Sequence, residues 1–552
     1  MVNLGMDFGS TYTLVSHYRS DRQAPEAISI DNISPYIPSI VSYNKRKDEY
    51  KFGKAAKNLT GNKNVIIFKA FKMLLNEQMT EENLKKRSYD EVNTPESIAT
   101  FYIEKVLKSA LAKIGDDCIG RLVVGVPEVW GQSFNTFDGR AALHRICNSF
   151  DFVKEAIVVS EPASASAFFA YNYKQLRKEN FDGRVLLIDY GGGTLDITLT
   201  KVASNGDSME VKVEKRDGAG ENTDREIGNA GIKYMEKVTE RAILENEAFS
   251  DLETLEYDGD FMKAVDEVEQ ALMSDSETIE DTFKEFEFTP EALEDEELFE
   301  LFYKGESVIV TYKHLNDVYN EIIYDVLREK LENVTADTDT RENNFKIGIV
   351  GGFGNFYLVK KQINDMFEIS SKDERTEGII VNSEDRERAI SLGACLLADE
   401  LISIRRTANF SIGIYAYRSD NVLAKHYAIK YRQDLEYNKI YYAVDAKGND
   451  VPYFTPSGKL DKFLVNFSDN EELAFGAHPR VELAQNLRNV VHNQYMMAAV
   501  GFSVDATDSI TIHIFDYDWE NSRRSEKPVK SIKLSTIKAM FDVVALNSRG
   551  EN

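Results

Sequence analysis

Two stretches of this sequence carry residue types suited to holding a phosphate chain. LGMDFGSTYTLVS (4–16) and LLIDYGGGTLDIT (186–198) share an apolar strand, an aspartate, an aromatic, a glycine, a turn of small residues and a second apolar strand. A turn of small residues exposes backbone N–H groups, and such groups can cradle phosphate oxygens. Glycine permits close approach and positive φ there. The copies lie about 180 residues apart, a spacing that suggests a duplicated domain and not a short solenoid repeat. Two facing copies could clamp one polyphosphate from both sides. Either turn alone is a weak signal, since GGGT is more often a loop than a site.

The elements around these turns follow from hydrophobic pattern. LVVGVP (122–127) and IGIVGG (347–352) are, like the two stretches above, short apolar runs ending at glycine or proline. Each reads as a buried strand arriving at a tight turn. Between them lie amphipathic segments. SIATFYIEKVLKSALAKI (97–114) places Phe101, Val106, Ala110 and Leu111 near helical spacing, and HLNDVYNEIIYDVLREKL (314–331) does so with Leu315, Val318, Ile322, Val326 and Leu327. Strands alternating with helices define an α/β class. Residues 245–300 are acidic and helical in pattern. From Glu277 to Glu300 eleven acids face Lys284 alone, which suits a solvated peripheral subdomain or, alternatively, a docking surface for a basic partner. A helix is expected to end in LGACLLADELISI (392–404). After about Thr407 the segments FSIGIYAY, HYAIKYR, KIYYAV, MAAVGFSV and SITIHIF alternate with period two, the signature of a separate antiparallel β domain. DAKGND (445–450) and PSGK (456–459) read as turns within it.

Composition bounds the function. The 552 residues are 43% hydrophobic and 29% charged, enough for sizeable cores in several units. With 66 basic and 92 acidic residues the net charge is −26, a surface that repels nucleic-acid backbones and anionic lipid but leaves room for one local phosphate pocket. Cys118, Cys147 and Cys395 lie far apart without CxxC spacing, which argues against disulfides or a zinc site and for small buried side chains in a reducing compartment. The N-terminus lacks the pattern of a signal peptide, and no apolar run approaches the ~20 residues needed to span a bilayer. A cytoplasmic location is the expectation.

Five motifs in one order make a resemblance specific. GMDFGSTYTLV and VLLIDYGGGTLDITL resemble the two phosphate hairpins of the actin, hexokinase and seventy-kilodalton heat-shock ATPase superfamily. VVSEPASASAFFAY (158–171) resembles its first connecting helix, IGIVGGFGNFYLVKKQI (347–363) its adenosine motif, and RERAISLGACLLA (386–398) its second connecting helix. YIPSIVSYN, FGKAAKN, FKMLLN and VVGVPEVWGQS are similar to the DnaK-type heat-shock chaperones, and FSIGI and VGFSVDATDSITIHIFD to their peptide-binding β-sandwich. The likeness is strongest over 3–200 and 345–400. It implies a duplicated, two-lobed actin-like (ribonuclease H-like) ATPase domain over 1–405, with a peripheral helical acidic subdomain at about 225–310. A β-sandwich of the substrate-binding kind would occupy 408–552 without a full helical lid.

The resemblance also implies roles and ligands, namely ATP or ADP with Mg²⁺. Asp7, Asp189 and Asp196 would hold Mg²⁺ mostly through water, because Mg²⁺ dehydrates reluctantly. Gly9, Ser10, Thr11 and Tyr12, with Gly191, Gly192, Gly193 and Thr194, would contact phosphates. Lys72 would stabilise the γ-phosphate and orient the attacking water, with Glu161 and Thr194 arranging water and metal. Gly351, Gly352 and Phe353 would border the adenosine. Here the chain departs from the family. The usual Ser and Arg after this glycine pair are Phe353 and Asn355. Aligned on Leu272, the helix that normally carries Glu, Lys, Arg and Ser offers Asp266, Glu269, Gln270 and Met273. Losing an arginine stacked on the base weakens binding about tenfold. The segment joining the domains, ELISIRRTANF (400–410), is shorter and more basic than the family's Leu-rich linker, and 531–552 cannot supply a helical lid. The implied function is a chaperone-like ATPase coupling nucleotide state to an unfolded or extended polypeptide, or to one dedicated client, with possible co-chaperones. A nucleotide-gated scaffold with little turnover, an actin-like filament protein and a small-molecule kinase are the alternatives.

Overall fold

In the computed structural model the chain opens on the strand β1 (Val2–Phe8), followed by β2 (Tyr12–Arg19), β3 (Ala24–Ala27) and β4 (Ile37–Pro38). The structure describes residues 1–533 apart from 32, 61, 63, 76–83, 86–87, 128–129, 131–138, 206–207, 221–229, 253–254, 256–258, 275, 289–295, 343, 371–374, 377–382, 409–410, 418–422, 432, 437, 446, 453–462, 469–479, 484–496 and 506–509. The expected turn PSGK and the whole of 534–552 therefore lie outside the described residues. The fold is mixed α/β with several sheets. It divides into two compact units. One holds 1–74, 79–129 and 150–403, the other 75–78, 130–149 and 404–552.

In the first unit, β5 (Val41–Asn44), β6 (Glu49–Phe52) and β7 (Val65–Phe68) make a small antiparallel sheet, order β6-β5-β7. With β8 (Ile119–Val126) and β9 (Val153–Ser160), the first large sheet runs β3-β2-β1-β8-β9, with β4 on β2. The next strands are β10 (Gly183–Tyr190), β11 (Thr194–Asn205) and β12 (Ser208–Gly220). A hairpin, β13 (Glu297–Tyr303) with β14 (Glu306–Thr311), and β15 (Phe345–Val350) complete them. The second large sheet includes the order β15-β10-β11-β12. The same local topology recurs in both sheets. β1 is antiparallel to β2 and parallel to β8, with Asp7 beside Gly125, while β10 is antiparallel to β11 and parallel to β15, with Asp189 beside Val350. Strands buried on both faces read as continuous apolar runs, which is why they were visible in the sequence.

Helices carry their own stop and start signals. Pro95–Ile114 begins at Thr94, whose side chain accepts from the Ser97 N–H, and ends at Gly115 with φ 78°. Glu161–Arg177 begins at Ser160, which accepts from the Ala163 N–H. Two glycines allow the helix Ser383–Ala398 to lie against its neighbours. A Cβ on Gly5 would stand 2.1 Å from the Cys395 nitrogen, and a Cβ on Gly393 would stand 1.7 Å from the Ser164 carbonyl oxygen. Both contacts are backbone to backbone, so no side chain can give way.

Several expectations are corrected here. The segment 314–331 is not one helix. Tyr312–Ile322 and Tyr324–Thr335 meet at Ile323, whose φ is −109° and whose side chain is fully buried. The acidic region is only partly helical, because after Gly259–Ser274 and Ser276–Phe288 it turns into the β13–β14 hairpin. The helix expected to run to residue 404 stops at Ala398. Cys147 and Cys395 are buried but Cys118 only partly so, and all three are free thiols. No helix among the described residues is long and apolar enough to cross a membrane.

In the second unit, β16 (Ser403–Thr407), β17 (Ser411–Tyr417), β18 (Leu423–Ile429), β19 (Asp434–Leu435), β20 (Tyr441–Tyr442) and β21 (Phe463–Ser468) come first. They are followed by β22 (Arg480–Leu483), β23 (Ala498–Val504), β24 (Ile510–Asp518), β25 (Arg523–Arg524) and β26 (Lys530–Lys533). One sheet runs β18-β17-β21-β22 and another β20-β23-β24-β25 with β26 on β24, every pair antiparallel. The period-two pattern works as read. Ile510, Ile512 and Ile514 point inward from β24 and meet Ile412 and Ile414 of β17 in one core. Among the aromatics of this unit, Tyr441 is buried and Tyr431 and Tyr442 are half-buried, while Phe454 lies outside the described residues.

Two outcomes test these packing statements. Gly393→Ala is expected to lower stability by about 1–3 kcal/mol, because two helices must part; an unchanged urea midpoint would refute the close crossing. The second concerns His314, which caps its own helix. The Thr311 N–H donates to Nδ1 at 3.0 Å, so Nε2 carries the proton and donates to Glu245 at 3.1 Å. Burial holds the imidazole pKa below its ordinary 6.5, with Glu245 opposing. The unfolded chain therefore binds the proton more readily, and stability falls as pH drops through 6.5. His314→Gln keeps an acceptor for the cap and is expected to flatten that part of the pH dependence of the urea midpoint.

Candidate functional site

Lys72 lies on the short helix Phe71–Leu74, all four of whose residues are buried. Phe8, Phe71 and Tyr102 pack their rings tilted or edge-on, 5.3–6.0 Å between centres, and form an apolar wall there. Burying an ammonium in such surroundings requires a partner. Glu161 supplies it, with Nζ to Oε1 at 2.7 Å and both side chains about 95% shielded from solvent. Glu161 stands at the first position of its helix, just past the end of β9. Lys69, three residues before Lys72, is by contrast exposed and faces Asp266 at 3.5 Å.

The carboxylates predicted for the site converge on this pair. Asp7 sits near the end of β1, Asp189 near the end of β10, and Asp196 pairs with Asp189 across the β10–β11 ladder. All three are buried, and so is Thr194. Burial first, then the nearby Glu161, pushes the Asp7 carboxyl up to about 7, against the pull of Lys72. Burial, Glu161, Asp196 and Asp7 push Asp189 well above the ordinary range. For Lys72, burial works to lower the pKa, but Glu161, Asp7 and Asp189 outweigh it and leave it raised. Lys72 thus faces Glu161, Asp7 and Asp189, with Asp196 beside Asp189. Among the described residues no three His, Cys, Asp or Glu side chains converge closely enough to hold an ion directly.

The two small-residue turns face each other. A Cβ on Gly193 would lie 3.0 Å from the Ser10 hydroxyl and 3.1 Å from the Met73 sulfur, and one on Gly192 would lie 3.4 Å from the Thr11 hydroxyl. None of Gly191, Gly192 and Gly193 adopts the left-handed φ that the sequence suggested for such a turn. At Gly192 and Gly193 the absent side chain leaves room for these neighbours. The left-handed glycine is Gly351, φ 81°, where a Cβ would stand 2.6 Å from the Asp189 carboxylate. Two residues that motif reading missed also abut the second turn. The Ile232 N–H donates to the Gly192 carbonyl at 2.8 Å and its side chain covers Gly192, while Met73 covers Gly193. The signal available for Ile232 was a glycine, Gly231, opening an amphipathic helix.

The third group of predicted residues is placed differently. Gly352 borders the turn after β15, but the ring of Phe353 is 95% buried. It packs 4.9 Å from Tyr190, 5.2 Å from Tyr234 and 5.6 Å from Phe356. What Phe353 can offer a ligand is its backbone. On the helix Gly259–Ser274, Asp266 and Gln270 are exposed and Glu269 is half-buried, while the Met273 side chain lies outside the described residues. Burial and Asp266 raise the Glu269 pKa, opposed by Lys57 and Lys69. Lys57 in turn lies 5.8 Å from the Tyr12 ring centre.

Comparison with known proteins adds two findings. A family model described as the C-terminal part of a family of unknown function (DUF5716) matches residues 24–274. That span includes Lys72, Glu161, Asp189 and the second turn, but not Asp7, the first turn or Gly351. Heat shock cognate 70 kDa protein 3 of Dictyostelium discoideum is 23% identical over 271 residues, which cover 45% of this chain and 41% of that protein. The match thus spans less than half of that relative, and it supports a distant relationship to the heat-shock ATPases.

The buried pair generates a prediction of its own. Lys72→Met leaves Glu161 buried without its partner and is expected to cost about 3–5 kcal/mol in urea unfolding. Adding Glu161→Gln is expected to recover most of that loss. Equal losses in the single and double variants would show that the pair is not coupled.

Proposed function

We propose that residues 1–405 bind and hydrolyse ATP in a duplicated, two-lobed actin-like domain. We further propose that residues 408–552, a β-sandwich-like domain, bind extended polypeptide or one dedicated client in response, in the manner of a divergent DnaK-type chaperone. The observation that carries this reading is the meeting of the two turns beside a buried lysine–glutamate pair flanked by Asp7 and Asp189. The distant likeness to a heat shock cognate protein supports it.

In this reading the turns Gly9–Tyr12 and Gly191–Thr194 hold the phosphate chain from opposite sides with backbone N–H groups. Lys72 supplies positive charge to the terminal phosphate and orients the attacking water, while Glu161 fixes the lysine and accepts from that water. Asp7, Asp189 and Asp196, with Thr194, hold the water shell of Mg²⁺. When bound, the metal neutralises charge developing on the phosphoryl oxygens. The rest of catalysis is positioning, for which buried side chains on strand ends are well suited.

A second reading, a nucleotide-gated scaffold with little turnover, is favoured by the base side of the site. There Phe353 is packed into the core and acids occupy the helix where basic residues would grip adenosine. One experiment separates the two. ATP and ADP are titrated calorimetrically with Mg²⁺ alongside steady-state phosphate release, for the natural chain, Asp189→Ala and Lys72→Ala. Binding with slow turnover that Lys72→Ala reduces at least a hundredfold is expected. Binding without turnover selects the scaffold, and absence of binding to either nucleotide overturns both.

A further inference from the structure

The geometry points to Ser39 as the residue that sets the orientation of the first turn, an inference that rests on the phosphate-holding role proposed for Gly9–Tyr12. Ser39 is nearly fully buried, at 2% exposure, and immediately follows β4. Its hydroxyl donates to the Gly9 carbonyl at 2.7 Å, and its backbone N–H donates to the Thr11 carbonyl at 2.8 Å. One residue therefore holds two of the carbonyls in this four-residue turn.

The consequence follows from the planar trans peptide. Across each peptide bond the C=O of one residue and the N–H of the next point in opposite directions. Pinning the Gly9 oxygen aims the Ser10 N–H away from Ser39, and pinning the Thr11 oxygen does the same for the Tyr12 N–H. A phosphate needs N–H groups turned toward it and carbonyls turned away, since a carbonyl oxygen presented to an anion repels it. Ser39 imposes that polarity before any ligand arrives.

Ser39 is itself held. A serine hydroxyl has one proton to donate. With that proton on Gly9, the 3.0 Å contact to Thr13 Oγ1 must run from Thr13 to Ser39. The result is a buried relay from the Thr13 hydroxyl through the Ser39 hydroxyl to the Gly9 carbonyl, and Thr13 is fully buried. β4 is fixed from both sides. Tyr12 and Thr13 pair with Pro38 and Ile37, and the Tyr102 hydroxyl donates to the Ile37 carbonyl at 3.1 Å. Tyr102 belongs to the apolar wall around Lys72, so the wall and the turn share a support.

Ser39 is a positioning residue and touches no ligand in this account. The test is calorimetric titration of ADP with Mg²⁺ against the natural chain, Ser39→Ala and Ser39→Thr, at a temperature where circular dichroism shows each fully folded. Ser39→Ala is expected to weaken ADP about tenfold, the worth of one oriented buried hydrogen bond. Ser39→Thr, which keeps the hydroxyl, is expected to bind within about twofold to threefold of the natural chain. A merely structural role would lower the melting temperature of Ser39→Ala and leave the affinity of the folded protein unchanged, and that result overturns the proposal while leaving nucleotide binding intact. If Ser39→Ala does not fold, Thr13→Val replaces it, removing only the hydroxyl that orients Ser39. A loss of about threefold is then expected, and unchanged affinity overturns the proposal. Failure of the natural chain to bind ADP overturns both the proposal and the reading it rests on.

Discussion

The arrangement of the first unit depends on a charge imbalance held out of water. Lys72 and Glu161 pair at 2.7 Å, and Asp7, Asp189 and Asp196 add three more buried carboxyls around one ammonium. Such a cluster is costly by itself, since a desolvated carboxylate without a partner shifts its pKa and takes up a proton. The elevated pKa values of Asp7 and Asp189 express that cost. The cluster persists because five separate elements over-determine it: the short helix at 71–74, the start of the helix at 161, and the strands β1, β10 and β11. A stability-optimised core would have replaced these groups with apolar ones. Their presence together is the observation on which the proposed site rests.

The supporting elements are arranged so that backbone, and not only side chains, faces this cluster. The turns after β1 and β10 approach closely enough that a Cβ on Gly193 would crowd the Ser10 hydroxyl at 3.0 Å and one on Gly192 would meet the Thr11 hydroxyl at 3.4 Å. Gly351 brings a third turn against Asp189. Around them the glycines at 5 and 393 allow the helix Ser383–Ala398 to lie directly on β1 and on the helix Glu161–Arg177. Ser39 belongs to the same logic, because it fixes the direction of peptide groups that no side chain could orient from within the turn.

Phe353 and the helix Gly259–Ser274 show what a departure from the heat-shock pattern means physically. A phenylalanine after the glycine pair cannot imitate a serine or an arginine, and it is drawn into the aromatic cluster with Tyr190, Tyr234 and Phe356 because burial of a large ring outweighs exposure in a polar cleft. The acids of the helix Gly259–Ser274 are met by Lys57 and Lys69 instead of by a stacking guanidinium. The residues around Lys72 and the two turns thus keep the types that the resemblance implies, while Phe353 and the helix Gly259–Ser274 do not.

Much of this was legible in the sequence. Strands buried on both faces are continuous apolar runs, tight turns are marked by glycine, and β24 alternates because one face meets a core; each is a local consequence of period and of backbone sterics. The roles expected of Asp7, Lys72, Glu161, Asp189 and Asp196 came instead from the resemblance of whole motifs, which neither period nor sterics supplies. Tertiary structure alone decided the rest. It placed Lys72 rather than Lys69 inside the apolar wall, parted the helix at Ile323 with no proline or glycine to announce it, turned Phe353 into the core, kept Gly191–Gly193 out of the left-handed region, and brought Ser39 to the carbonyls of Gly9 and Thr11. These outcomes depend on which surfaces meet across long sequence separations, and no local pattern encodes that meeting.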